Sequence, residues 1–410
     1  MRLLFVAQRY GREVFGGAEF ACRQFATHLA ARGHDVEVLT SCAVSYVDWA
    51  NHYPSGPETL DGVSVHRLPV EHAREDRFFG PLNARVISGH KPLPQYIQRH
   101  WMKVQGPWLP GLQPWLWKHA RSYDTVIFFT YLYYTTWAGL PVVRARNVPA
   151  VLHPTAHNEP MLYLQLFDTM FRHPTAFGFL TEEEESLVKR RFRVRQPSVV
   201  TGIGIDMGLS GDEGAFRSEF GLGDRPYLLF LGRVDPGKGS DELFDFFTAY
   251  KQRNPGPLML VIVGEPVKPP PTHPDVLLTG FVSDAVKQSA IEGALALVQP
   301  SYFESFSMAL TECWSHRKPA VVQGACEVLV GQVRRSGGGI PYVGFAEFEA
   351  AVDMIMANPE LAASLGAAGY DYTAQHYRWD RFTRNYEAFL SRVAGEDIDR
   401  SNSPFATARL

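Results

Sequence analysis

Phe303-Glu304-Ser305-Phe306-Ser307-Met308-Ala309-Leu310-Thr311-Glu312-Cys313-Trp314 is the stretch on which the fold turns. An apolar run, Ala294-Leu295-Ala296-Leu297-Val298, precedes it and reads as a strand buried on both faces. Pro300-Ser301 ends that strand, a loop carries Glu304, and Ser307 is the expected N-cap of the next helix. A helix N-terminus offers unpaired N–H groups and partial positive charge, which suits a phosphate-bearing ligand. Glu312 falls about five residues into the helix, roughly 7 Å along its axis.

One carboxylate can therefore meet one end of an extended ligand, and the other its far end, while the middle rests on the N–H groups. A nucleoside diphosphate sugar has that layout. Spacing alone fits equally a loop carboxylate and a solvated helix residue. The segment resembles the Glu-x7-Glu motif of the family-4 retaining glycosyltransferases, flanks included. That resemblance implies that Glu304 binds the donor sugar, Glu312 the ribose, and Ser305, Phe306 and Ser307 the donor between them.

At 410 residues the chain exceeds one ordinary core, so two domains are expected. No apolar run reaches 18 residues, and the short one at Leu3–Ala7 is a strand rather than a signal peptide. A net charge of −3 gives no argument for nucleic acid. The basic run Lys189–Arg195 is either a solvated face or a contact for an anionic surface. Cys22, Cys42, Cys313 and Cys326 lack metal or redox spacing and read as core thiols.

Strands at 2–7 and 36–40 flank a helix from about Ala18 to Arg32, a right-handed βαβ unit. The loop into this helix holds Gly16-Gly17-Ala18-Glu19. A glycine pair there lets a ligand approach the backbone, although tight turns also produce one. The same family carries Gly-Gly-x-Glu at this turn, which implies donor contact at Gly16 and Gly17. Glu19 is assigned to the acceptor side, together with Trp49 and Asn51 from the loop after the second strand. Residues 76–118 hold Trp101, Trp108, Trp115 and Trp117 among prolines at 92, 94, 107, 110 and 114. They read either as helices packed by aromatics or as a surface facing a sugar or lipid-linked acceptor.

Pro154-Thr155-Ala156-His157-Asn158-Glu159-Pro160 follows another strand, where open α/β sheets place ligands. The segment resembles a Pro-Thr-Ala-His-Asp-Glu-Pro pattern of the family, which favours His157 over His153 as the donor-sugar residue; Asn158 replaces a charged aspartate. In the second half, strand 227–231 runs into Gly232-Arg233-Val234-Asp235-Pro236-Gly237-Lys238-Gly239. Gly232 belongs to the donor loop, and the family's Gly-Arg…Lys-Gly segment implies that Arg233 and Lys238 neutralise the diphosphate. Val282, after the strand from Val276, is the expected base-side residue.

The resemblance implies an α/β fold of GT-B type, two Rossmann-like domains facing across a cleft. Residues 1–204 would form the acceptor-side domain, completed by a crossing helix at about 376–395. Residues 205–375 would form the donor-side domain, and 396–410 a flexible tail. The expected activity is retaining, metal-independent transfer from a UDP- or GDP-linked sugar to a saccharide, lipid-linked or natural-product acceptor. No cofactor or metal site is implied, and no nucleic-acid partner. The expected location is cytoplasmic, with a peripheral contact at the inner face of the membrane. The competing readings are a nucleotide-sugar epimerase of the same fold and a catalytically idle binding module.

Overall fold

A computed structural model describes residues 1–88, 93–266 and 272–395. The expected tail 396–410, Pro92 and most of the proline-rich loop after β10 lie outside the described residues.

Short apolar runs make two sheets. The first contains β1 (Arg2–Val6), β2 (Asp35–Ser41), β3 (Gly56–Leu60), β4 (Val63–Leu68), β5 (Thr125–Phe129), β6 (Ala150–His153), β7 (Ala176–Phe179) and β8 (Ser198–Val200), in the order β3-β4-β2-β1-β5-β6-β7-β8. The second contains β9 (Tyr227–Leu231), β10 (Met259–Val263), β11 (Val276–Gly280), β12 (Ala296–Gln299), β13 (Ala320–Gln323) and β14 (Gly339–Tyr342), in the order β11-β10-β9-β12-β13-β14. Every neighbouring pair is parallel except β3 with β4. This is the doubly wound α/β order. In each sheet the winding reverses beside the first strand, between β1 and β5 and between β9 and β12, which opens a crevice at the strands' C-terminal ends.

Two strands depart from the sequence reading. The Asp61-Gly62 turn closes a hairpin and pairs β3 with β4; both residues have positive φ, 53° and 78°. Gly337-Gly338-Gly339-Ile340 reads as a turn in the sequence, yet Gly339 and Ile340 open β14. A Cβ on Gly339 would lie 2.4 Å from the Ala320 carbonyl oxygen, so only glycine lets β14 come this close to β13.

The last helix, Trp379–Gly395, returns to the first sheet. Phe382, Tyr386, Phe389, Leu390 and Val393 share one buried cluster with Leu3, Phe5, Phe25 and Val151. His153 at the end of β6 is fully buried there, with its Nε2 2.7 Å from the Tyr386 hydroxyl. Burial pushes its pKa down to about 3, so the ring stays neutral and serves the packing. The tryptophan-rich segment forms the helices Asp76–Ile87, Gln95–Gln105 and Leu112–His119, with Trp101 in the core and Trp117 half exposed. The basic run caps the helix Glu182–Phe192; Lys189 pairs with Glu185 at 2.7 Å and Arg191 with Asp168 at 2.8 Å. All four cysteines are buried and unpaired with one another.

Candidate active site

The loops after β9 and β12 emerge on either side of the second sheet's switch point, and they touch. Gly239 adopts φ 70°, and a Cβ there would sit 2.2 Å from the Pro300 carbonyl oxygen. Only glycine allows that approach, which draws Lys238 against Glu304: Nζ donates to Oε1 at 2.7 Å. Glu304 is only 9% exposed and Lys238 34%, so the pair faces the crevice from its floor. Gln299, the polar last residue of β12, donates from Nε2 to Glu304 Oε1 at 3.1 Å and to Ser307 Oγ at 2.9 Å.

Arg233 lies in the same loop. Its guanidinium bonds Asp235, whose Oδ1 accepts from the Lys238 N–H at 3.2 Å. Partial burial works to lower the Arg233 pKa, but the bond and charge of Asp235 outweigh it and hold the pKa above the ordinary value. A second nitrogen of Arg233 donates to the Tyr46 hydroxyl, across the crevice in the first domain. Arg233, Lys238 and Glu304 therefore line one continuous surface.

Further contacts join the domains. Phe15 and Phe281, both largely exposed, pack with ring centroids 4.5 Å apart. Thr181 Oγ1 donates to the Ser305 carbonyl at 3.2 Å. Arg335 holds Glu183 through two bonds, at 2.5 and 3.0 Å.

Several expected site residues have other work. Ser307 stands at the N-cap position of the helix Met308–Ser315 without capping it: φ is 70°, and its hydroxyl accepts from Gln299. Phe306 is buried against Tyr377, with ring centroids 5.0 Å apart, so its side chain packs the domain junction and only its backbone borders the crevice. Glu312 lies in the expected turn, with Lys287 Nζ 2.8 Å from its Oε1. Gly232 adopts φ 142° at the end of β9. Val282 is half-buried against the second domain's core.

In the first domain Glu19 is buried, accepting from Gln8 Nε2 at 2.8 Å and Arg9 Nε at 3.0 Å. A Cβ on Gly16 would strike that carboxylate at 2.3 Å, whereas Gly17 faces open space. Trp49 is buried and donates from Nε1 to the Gln105 carbonyl at 2.7 Å. Asn51 clamps Val70, giving and taking one bond each at 2.8 and 2.9 Å. Glu19, Trp49 and Asn51, expected on the acceptor side, thus each tie neighbouring loops of the first domain together through these bonds.

His157 sits past β6 with Nδ1 3.7 Å from Glu159 Oε1, and Asn158 accepts from the Tyr163 hydroxyl at 2.7 Å. Among the described residues no hydrogen bond or ion pair joins His157 to Arg233, Lys238 or Glu304. The loop is held from below by Glu184, fully buried, which accepts from the Ala156 and Leu180 N–H groups at 2.8 and 2.7 Å. Burial raises the Glu184 pKa to about 7, against the lowering effect of those bonds.

Sequence reading missed Tyr46, Gln299, Asp235 and Glu184. Only Gln299 carried a signal, as the polar residue closing an apolar strand. Among the described residues no group of three or more His, Cys, Asp or Glu side chains could hold a metal, and no helix is long and apolar enough to cross a membrane.

Two switch-point crevices facing each other, one floored by Lys238, Arg233 and Glu304, define a two-domain transferase class. A family model described as "Glycosyl transferase 4-like domain" matches residues 16–204, and one described as "Glycosyl transferases group 1" matches residues 225–356. The chain belongs to these glycosyltransferases and has the GT-B fold. It is similar to the D-inositol 3-phosphate glycosyltransferase of Actinosynnema mirum, at 25% identity over 402 residues and 90% of each chain. Sucrose-phosphate synthase from Thermosynechococcus elongatus superposes with a TM-score of 0.70 at 16% identity, over 96% of this chain and 99% of that one. Anabaena HepE in complex with UDP-glucose gives 0.67 at 15% identity, over 95% and 99%.

Proposed function

We propose that this glycosyltransferase takes its sugar from a nucleoside diphosphate sugar, UDP- or GDP-linked, and transfers it with retention and without a metal ion. The observation that carries the reading is the Lys238–Glu304 pair beside Arg233 at the second switch point. The UDP-glucose bound by Anabaena HepE, a protein of the same fold, is in keeping with it.

On donor entry Lys238 and Arg233 turn from Glu304 and Tyr46 to the diphosphate, and Glu304 is freed to accept from sugar hydroxyls. Glu312 receives the ribose hydroxyls beside Lys287. As the bond from the anomeric carbon to the phosphate oxygen breaks, its electron pair stays on the terminal phosphate. The two cations and the backbone N–H groups of Ser305–Ser307 stabilise that charge where it develops. They supply the positive charge that a divalent ion supplies in other transferases. The acceptor oxygen bonds to the anomeric carbon on the face the diphosphate leaves, and its proton passes to the departing phosphate oxygen. His157 contacts the donor sugar near that carbon, and domain closure excludes water, whose attack would waste the donor.

The test is a panel of UDP- and GDP-sugars, with release of nucleoside diphosphate as readout, in the presence and absence of a chelator. Release in both conditions supports the reading. An isomeric nucleotide sugar would instead mark an epimerase, and no turnover with any donor an idle binding module. Lys238→Ala and Glu304→Ala should each lower turnover by ~100-fold with the melting temperature nearly unchanged. Near-normal rates would remove both residues from the site.

A further inference from the structure

A second concavity lies in the first domain. It has a volume of about 560 Å³ and is walled by Trp49, Arg74, Phe78, His100, Lys103 and Trp108. That volume is within the ~300–1,000 Å³ of small-ligand sites. We propose that this cavity binds the acceptor, and that the acceptor is a saccharide carrying an anionic group, a phosphate or a carboxylate. The inference rests on the transferase reading above and adds the acceptor's class to it.

The lining gives the chemistry. Phe78 is 60% exposed and Trp108 partly exposed, so aromatic surface borders the cavity and suits the C–H surface of a sugar ring. Lys103 holds its ammonium 4.8 Å from the Trp108 ring centroid and, among the described residues, forms no ion pair. Arg74 is fastened by carbonyl oxygens, of Val47 at 2.9 Å, of Gln105 at 3.2 Å and of Tyr46. It too has no described carboxylate within ion-pair distance, and burial lowers its pKa. A half-buried cation held among neutral oxygens has no counter-charge in direct contact, which a ligand can bring. Of the nearby acids, Asp76 and Asp48 act on Arg74 only from beyond ion-pair distance, Glu75 pairs with Arg77 at 2.6 Å, and Glu71 accepts from Trp108 Nε1 at 2.7 Å.

Position gives the role. Tyr46 forms the partition between this cavity and the donor loop. Its carbonyl accepts from Arg74 in the cavity wall, and its hydroxyl accepts from Arg233. Its ring also lies between two guanidinium groups, 5.0 Å from Arg9 and 5.3 Å from Arg233. One residue thus separates the cavity from the diphosphate site, the separation an acceptor needs to present a hydroxyl to the donor.

The experiment titrates the full chain with glucose 6-phosphate, glucuronate, glucose and inorganic phosphate, following tryptophan fluorescence, since Trp49 and Trp108 line the cavity. UDP and GDP binding are measured in parallel. At least one anionic sugar should bind ~10-fold more tightly than glucose, and whichever binds better names the anionic group. Lys103→Glu, at an exposed position that spares the fold, should erase that preference and leave UDP affinity within ~2-fold. Equal binding of glucose, an unchanged preference in Lys103→Glu, or no sugar binding up to ~10 mM would overturn the proposal. Inorganic phosphate binding as tightly as glucose 6-phosphate would also overturn it, since the sugar would then contribute nothing. Failure of both UDP and GDP to bind the unmodified chain would sink the donor assignment alone.

Discussion

Glu304 and Glu19 occupy comparable places, each in or just beyond a loop at the switch point of its own sheet, yet they do opposite things. Glu304 meets Lys238, a partner that stays about one-third exposed and able to turn to a ligand. Glu19 is closed in by Arg9 and Gln8, with both members of the Arg9–Glu19 ion pair almost wholly buried. The same winding leaves a crevice in both sheets. In the second, side chains line it and remain free to move; in the first, they fill it and fasten the loop. Topology therefore marks where a ligand can go, and the packing of the loop decides whether its charged groups are available.

The comparison breaks first at Glu19. Removing it in Glu19→Ala strands the buried Arg9 charge and should cost about 3–5 kcal/mol of unfolding free energy in a denaturant titration. A loss under about 1 kcal/mol would show that the carboxylate is not structural. Lys238→Ala should show the converse. Its ~100-fold loss of turnover is about 2.7 kcal/mol of transition-state stabilisation, with little change in stability.

A smaller effect separates Glu184 from both. Its pKa is raised in the fold to about 7 from the ordinary 4.5. The protonated form is therefore favoured on folding, and this stabilising contribution is complete below pH about 4.5. It is lost as pH rises through about 7. Between pH 5 and 7.5 the unmodified chain should lose on the order of 2 kcal/mol more stability than Glu184→Gln does. Parallel pH profiles for the two proteins would remove Glu184 as the titrating group. Tyr46→Phe should be milder still. Loss of one hydroxyl bond to Arg233 should change donor KM by at most ~5-fold, about 1 kcal/mol, and leave stability unaltered.

The strands were legible because parallel strands buried on both faces read as unbroken apolar runs, as in Leu228–Leu231 and Leu297–Val298. β3 was not, since its Gly-Pro-Glu-Thr-Leu sequence sits on an edge and carries no such run. Of the candidate site, Glu304, Lys238 and Arg233 were singled out through spacing and family resemblance, and the fold brings them to one loop cluster. The bonds of Trp49 and Asn51 to the Gln105 and Val70 backbone were not legible, because a polar or aromatic residue in a loop looks alike whatever it meets. Tyr46 left no trace in the sequence, because its role depends on an arginine 187 positions away.

By itself the sequence determined two parallel α/β units, the order of their strands along the chain, and a cationic loop followed by two spaced glutamates. These are local matters of apolar period, glycine placement and residue type. Only the tertiary structure decided which charged side chains remain available, that Gly239 against Pro300 brings Lys238 to Glu304, and that Tyr46 meets Arg233. Those outcomes depend on contacts between residues distant along the chain, where burial and the competition for partners assign each charge to the fold or to a ligand.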